Sequence, residues 1–248
     1  MAVSKEGQAG TPTIEDLSTR IHKTNEEVYN RMIMIYGAPG TGKTHLLGTA
    51  LEAKKRILVL DTDIEGRETL EQLPVDAVSI NSQYEFEEFM NYLIHEKHKD
   101  FDIVAVDTIS SLQVTIMEDL EAAGQGADVW RRADLAKKII VTKLRELRKK
   151  DVMILLTAHE QRKFRRGAGT SAPVLDEVYP KLFPSVWEGL NYHCSAVGRL
   201  INGDGEDVIS TLDFRKRPIF VTKDRTGRMP RTIDNPTIGN LYTALENN

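Results

Sequence analysis

The chain of 248 residues holds a single cysteine, Cys194, so no disulfide can form within it. That suits a reducing compartment, and a lone cysteine is more often a small packed residue than a nucleophile. Neither sign of charge dominates: Lys and Arg number 33 against 37 Asp and Glu, a net −4. The molecule as a whole is no polycation, and any nucleic-acid site must come from local basic clusters. No run of about eighteen apolar residues occurs, and the opening Met1-Ala2-Val3-Ser4-Lys5-Glu6-Gly7 lacks the apolar segment of a signal peptide. The expectation is a soluble, cytoplasmic protein without a membrane partner. Zinc-ligand spacing, internal repeats and low-complexity blocks are missing too. What remains, 40% apolar and 28% charged, is an ordinary composition and a length for one α/β domain with appendages.

One stretch organises the rest: Tyr36-Gly37-Ala38-Pro39-Gly40-Thr41-Gly42-Lys43-Thr44. It follows the apolar run Met32–Ile35, which predicts a buried strand, and precedes His45–Leu51, which predicts a helix. Gly37 and Gly42 bracket four residues ahead of Lys43-Thr44, the spacing of a phosphate-binding P-loop. Glycines let the backbone curl so that several N–H groups point at one phosphate chain. Lys43 can reach the β- and γ-phosphates, and Thr44 offers a hydroxyl to Mg²⁺. The residues from Gly37 through His45 are therefore the candidate ATP site, with a ligand-free glycine turn as the plainer alternative.

Further strands end in polar residues, where ligands of open parallel sheets bind. The run from Arg56 to Asp63 predicts a second strand, making Asp61, Asp63 and Glu65 candidates to face the nucleotide; capping the next helix, Arg67–Leu73, is the alternative. A short strand Ala77–Ile80 and a helix Tyr84–His98 follow, the aromatic stripe of the latter reading as core. The apolar run from Phe101 ends at Asp107, the expected Walker B carboxylate for Mg²⁺. Gly124-Gln125-Gly126 argues for a loop before a helix Ala133–Lys150. That helix buries Leu135, Ile139, Ile140, Leu144 and Leu147, and its many Lys and Arg read as a solvated face rather than a DNA contact. The strand Asp151–Glu160 should lie beside the Walker B strand and bring His159 near the γ-phosphate, as a sensor or as a structural strand-end histidine.

Gln161–Pro173 then breaks the pattern: basic, glycine-rich and aperiodic, it reads as a loop. Arg162, Lys163, Arg165 and Arg166 could pair with backbone phosphates while Phe164 stacks on an unpaired base. Cys194–Ile201, Asp207–Asp213 and Arg217–Thr222 predict strands, with a turn at Gly203-Asp204-Gly205 and a short terminal helix Asn240–Glu246. Residues 1–30 predict a tail and one helix, Thr13–Asn30, ahead of a core at 31–248.

This ordered set resembles a RecA-type recombinase core, and within that class the small bacteriophage P-loop proteins that include single-strand annealing proteins. The resemblance spans about Arg31 to Leu245 and rests on motif order. It implies a RecA-like P-loop NTPase fold with a mostly parallel sheet flanked by helices and a C-terminal antiparallel extension. It also implies DNA-stimulated ATP hydrolysis with Mg²⁺, single-stranded DNA binding, and annealing or strand exchange in homologous recombination. Self-association into a ring or filament and a single-strand DNA-binding protein would be its partners, in the host cytoplasm for a phage product. By resemblance, the DNA loops fall near Ala122–Arg132, which includes Arg131 and Arg132, and near Gln161–Tyr179. The catalytic carboxylate maps to Asp63, with Glu65 open because aspartate is shorter than the usual glutamate. The sensor maps to His159, where an amide is commoner. Lys223 and Arg225 map onto cations that reach a neighbour's nucleotide. The alternatives are a monomeric nucleotide kinase with Gln161–Pro173 as acceptor lid, or an AAA+ helicase loader, the latter disfavoured without a C-terminal helical lid domain.

Overall fold

In the computed structural model the described residues are 31–63, 66–166, 173–205 and 208–246. The expected helix Thr13–Asn30, Glu65 and residues 167–172 of the basic segment lie outside them. Chain order gives β1 (Met32–Gly37), α1 (Lys43–Gly48), β2 (Ile57–Asp61), α2 (Arg67–Leu70), β3 (Asp76–Ser79), α3 (Gln83–Tyr92), β4 (Ile103–Asp107), α4 (Ile109–Ala122) and α5 (Val129–Arg148). Then come β5 (Met153–Arg166), β6 (Pro173–Pro180), α6 (Pro184–His193), β7 (Ala196–Gly205), β8 (Val208–Asp213), β9 (Lys223–Asp224), β10 (Thr232–Asp234) and α7 (Ile238–Glu246).

The strand order is β10-β8-β7-β1-β5-β4-β2-β3, with β6 paired to β5 and β9 to β7. From β7 to β3 every pairing is parallel, while β8, β9 and β10 add antiparallel partners at one edge. Parallel strands are buried on both faces, which is why they read as continuous apolar runs. Their side chains still alternate. Met32, Met34 and Tyr36 of β1 join Val104, Val106, Ile154 and Leu156 in one core, beneath α3, α4, α5 and α6. Ile33 and Ile35 join Ile103, Ala105 and Leu155 in the other, beneath α1 and α7. Helix starts carry their own signals: Ser82, Thr108 and Asp128 each accept a first-turn backbone N–H, and Pro184 opens α6.

Several expectations need correction. Gln161–Arg166 is no aperiodic loop but the outer part of β5, paired antiparallel with β6 across a register shift between Lys163 and Phe164. Its two faces are both polar, so the alternation that marks a half-buried strand is missing. Arg217–Thr222 is not a strand among the described residues; Pro218 lacks a donor, and Phe220 makes only one isolated bridge, to Val178. β7 continues through Gly203-Asp204-Gly205 instead of turning there. The helix after Ser82 ends at Tyr92 and continues as a wider π turn, Leu93–Lys97. Leu135 and Ile139 are only half-buried; Ala133 and Ala136 sit at the buried stripe of α5 instead.

Candidate nucleotide site

β1 ends at the P-loop, and the register of its neighbours decides what gathers there. Gly37 pairs with His159 of β5, and Asp61 of β2 pairs with Asp107 of β4. The carboxyl ends of four parallel strands thus converge on the loop. Gly42 adopts φ +90° and Gly40 φ +77°, conformations that residues with a Cβ rarely accept. A Cβ on Gly37 would lie 2.3 Å from the backbone oxygen of Leu200, so β7 closes against the base of the loop.

Lys43 is buried, and its ammonium donates to the carbonyls of Gly37 at 3.0 Å and Ala38 at 2.9 Å. Burial pushes it below the usual lysine value against the pull of Asp107, Asp63 and Glu160. Thr44 Oγ1 donates to Asp107 Oδ2 at 2.7 Å, while the Thr157 hydroxyl donates to Oδ1 of the same carboxylate. Burial lifts the Asp107 carboxyl, and the Thr157 and Thr44 hydroxyls pull it back. A hydroxyl and a carboxylate in contact form a hard oxygen pair that suits Mg²⁺, which dehydrates reluctantly and takes few protein ligands beside substrate phosphates. Thr44 and Asp107 would hold the ion, and when bound it would neutralise phosphate charge.

Two further groups face this centre. His159 Nε2 lies 3.3 Å from Asp63 Oδ2, and the His159 backbone N–H donates to Ser110 Oγ at 3.0 Å. Asp61, the other acid that ends β2, is occupied elsewhere: Arg67 Nε reaches its Oδ2 at 3.0 Å, and the Asp63 N–H donates to its Oδ1 at 3.2 Å. It fixes the turn and leaves Asp63 as the described acid beside the site. An aspartate next to an imidazole can orient a water, or hold the imidazole toward a phosphate. Burial, and then Lys43, push His159 below the ordinary histidine value although Asp63 opposes them. His159 is therefore neutral at pH 7. A bound polyanion favours the charged imidazole, so protons should be taken up on ATP binding on the acid side of neutrality and not at pH 8. Calorimetry in buffers of different ionisation enthalpy should show less uptake for His159→Gln; equal uptake would remove His159 from the phosphate's neighbourhood.

The sequence reading missed Glu160 and Arg199. The Glu160 side chain is 3% exposed, and accepts from Arg199 Nε at 2.7 Å and Arg162 Nε at 2.9 Å. Burial would raise its carboxyl, but the two guanidinium groups hold it below the usual range. Arg199 also lies 4.2 Å from the Phe220 ring centroid. The signal was present: Arg199 is the one charge inside an otherwise apolar strand run.

Lys223 and Arg225 are not near their own P-loop. β9 pairs with the start of β7, level with Ile33 and Met34, at the opposite end of the strands from Gly37. There Lys223 donates to the Asn191 carbonyl, and Arg225 donates to the Tyr192 carbonyl at 2.7 Å, both at the end of α6. Of the other expected cations, Arg132 turns back to Glu121 at 3.2 Å and to the Gly126 carbonyl, while Arg131 is exposed. Cys194 is buried, and burial pushes its thiol up to about 12, which leaves it a packing residue.

A profile of the AAA domain family matches residues 29–226, well over half of the chain and all of this site. The chain belongs to the AAA domain family. No curated protein matches the sequence. Membership in the AAA domain family makes this a P-loop ATPase-like protein, for which nucleotide binding and hydrolysis with Mg²⁺ are the general activity, and it agrees with the mixed, mostly parallel sheet. Beyond β7 the described AAA-family chain carries strands and the single helix α7, with no helical lid among the described residues. No described helix is long and apolar enough to cross a membrane.

Proposed function

We propose that this protein hydrolyses ATP to drive a single-stranded DNA transaction, annealing or strand exchange, in a RecA-like assembly of several copies. The observation that carries the reading is the continuity of β5. One strand holds His159 beside Asp63 and the P-loop, and within six residues it presents Arg162, Lys163, Phe164 and Arg165 to solvent. Phe164 is 55% exposed and stands among these cations, an aromatic face open to a ligand. Beside the ribbon lies a cavity of about 670 Å³ bordered by Trp130, Lys163, Tyr179, Lys181, Phe183 and Trp187, with Glu177 as its acid. Trp130 is 63% exposed and edge-on to Phe183, with centroids 6.1 Å apart. Aromatic faces next to cations suit unpaired bases, which stack without regard to sequence.

Assembly would give Lys223 and Arg225 a neighbour's phosphates to meet, but both would first have to release the carbonyls of Asn191 and Tyr192. Cations supplied in trans make turnover depend on subunit contact. The test is ATP turnover with and without single-stranded DNA, with light scattering followed alongside. We expect turnover to rise with DNA and with protein concentration, together with scattering. Turnover indifferent to both would favour a monomeric nucleotide kinase. Assembly without DNA binding would favour a helicase loader or another AAA-type remodeller.

A further inference from the structure

The segment from Arg215 to Arg231 holds seven cations and one acid, in a chain whose net charge is −4. Lys223 and Arg225 face the end of α6. Three of the others, Arg215, Lys216 and Arg231, border a cavity of about 350 Å³ that Phe214, Met229 and Pro230 also line. The acid at this cavity is Asp224, and its carboxylate is already occupied. Oδ1 accepts from the Thr226 hydroxyl at 2.6 Å and from the N–H groups of Thr226 and Gly227 at 2.8 and 3.2 Å; Oδ2 accepts from the Met229 N–H at 3.1 Å. The cations are therefore not neutralised from within the cavity.

A row of charges joins this place to the ribbon of β5 and β6. Glu160 takes Arg162 on one oxygen and Arg199 on the other. Arg199 stands opposite Asp213 in the ladder of β7 and β8, and opposite residues of an antiparallel pair share a face. Asp213 accepts from Arg215 Nε at 2.9 Å and Nη2 at 2.6 Å, with Arg217 Nε 3.7 Å away. Cation and acid thus alternate from the ribbon to the end of β8. The two acids are covered and the outer cations are not: the Glu160 and Asp213 side chains are 3% and 2% exposed, while those of Arg162, Arg215 and Arg217 keep between 39% and 54%. Burial would raise both carboxyls, but the guanidinium groups beside each hold it below the usual range. The chain after Arg217 also docks on the ribbon, since the Val178 N–H of β6 donates to the Ile219 carbonyl at 2.7 Å and the Val221 N–H donates back at 3.1 Å.

We propose that a single strand laid on the ribbon continues along this row to Lys216 and Arg231, the end of β8 forming the second half of one nucleic-acid track. The inference rests on the reading that the ribbon binds single-stranded DNA. The group recognised here is the sugar–phosphate backbone. Exposed aromatic faces stand on the ribbon side, at Phe164 and Trp130, whereas Phe214 at the second cavity is buried. Bases stack at the ribbon, and beyond it the strand is held by charge without regard to sequence.

The test removes the two cations whose loss strands no acid. Lys216 and Arg231 are exposed and take part in no ion pair among the described residues, so both are changed to glutamine. Arg215 and Arg217 stay, because a buried Asp213 left without them would destabilise the fold. Fluorescence anisotropy follows oligonucleotides of about 5 and about 16 nucleotides, near the two ends of the site sizes of single modules, across a range of salt. For the long strand, Lys216→Gln with Arg231→Gln should lower the slope of log affinity against log salt by about 1.4, two contacts at about 0.7 each. That loss should add to the loss from glutamine at Arg162, Lys163 and Arg165. The short strand, anchored by stacking at the ribbon, should keep its slope. An unchanged slope for the long strand, an equal fall for both lengths, or a fall that the ribbon variant does not share would overturn the continuous track. Wild-type protein that binds neither strand would overturn the DNA reading and this inference together.

Discussion

Lys43→Ala should lower ATP turnover by about 10²–10³-fold, the loss expected when one preorganised charge-stabilising donor is removed. Lys43 is the buried cation of the loop, and its ammonium already sits against the Gly37 and Ala38 carbonyls. On the proposed function, charge that develops on a transferring phosphoryl group would be met by that ammonium. Asp107→Asn should reach a comparable loss by a different route. It keeps the shape, but replaces a carboxylate that accepts from both Thr44 and Thr157 with a neutral amide. The two variants separate in a Mg²⁺ titration: Asp107→Asn should need more Mg²⁺ for half-maximal rate, and Lys43→Ala should not. Circular dichroism controls for folding. Near-normal turnover in either variant, with its fold intact, would remove that residue from the site.

The chemistry of this site was legible where function demands particular residues at close spacing. The P-loop needs its glycines and Lys43-Thr44 in one contiguous stretch, so it can be read from the letters alone. Asp107 was legible because a buried parallel strand is an apolar run and its last residue stands out. The same logic pointed to His159 and Asp63, which the fold brings within 3.3 Å, although β5 runs on past His159 to Arg166 and β2 stops at Asp61. What stayed hidden depends on pairings between distant segments. The ribbon of β5 and β6 buries little, so neither strand advertises itself by alternation; only the cross-strand partners reveal it. Arg217–Thr222 misled in the opposite sense, its Ile219-Phe220-Val221 having strand-like residues at a place where Pro218 and the surrounding turns leave no ladder to join. The Glu160–Arg199 pair links β5 to β7 across β1, and local sequence cannot supply that contact.

Replacing Arg162, Lys163 and Arg165 together with glutamine should flatten the salt dependence of single-stranded DNA binding. On the proposed function each cation that meets a phosphate releases counterions, and each such contact contributes about 0.7 to the slope of log affinity against log salt on a single strand. Loss of three contacts should therefore reduce the slope by about 2. The fold should survive. Lys163 and Arg165 reach Asp176 only as exposed pairs, at 3.9 and 3.3 Å, and pairs of that kind contribute at most about 1 kcal/mol. Glu160 would keep Arg199 when Arg162 is lost. Phe164→Ala should act differently, costing roughly 1–3 kcal/mol at every salt concentration if a base stacks there, with the slope unaltered. The decisive control is the other basic surface. Lys138 and Arg145 are both exposed on α5, two turns apart on a solvated helix face. Changing them to glutamine should leave both affinity and slope in place. A slope that falls equally for the helix and the ribbon would mean diffuse attraction to any polyanion. A slope that falls for the helix alone would move the DNA path away from β5 and break its link to His159.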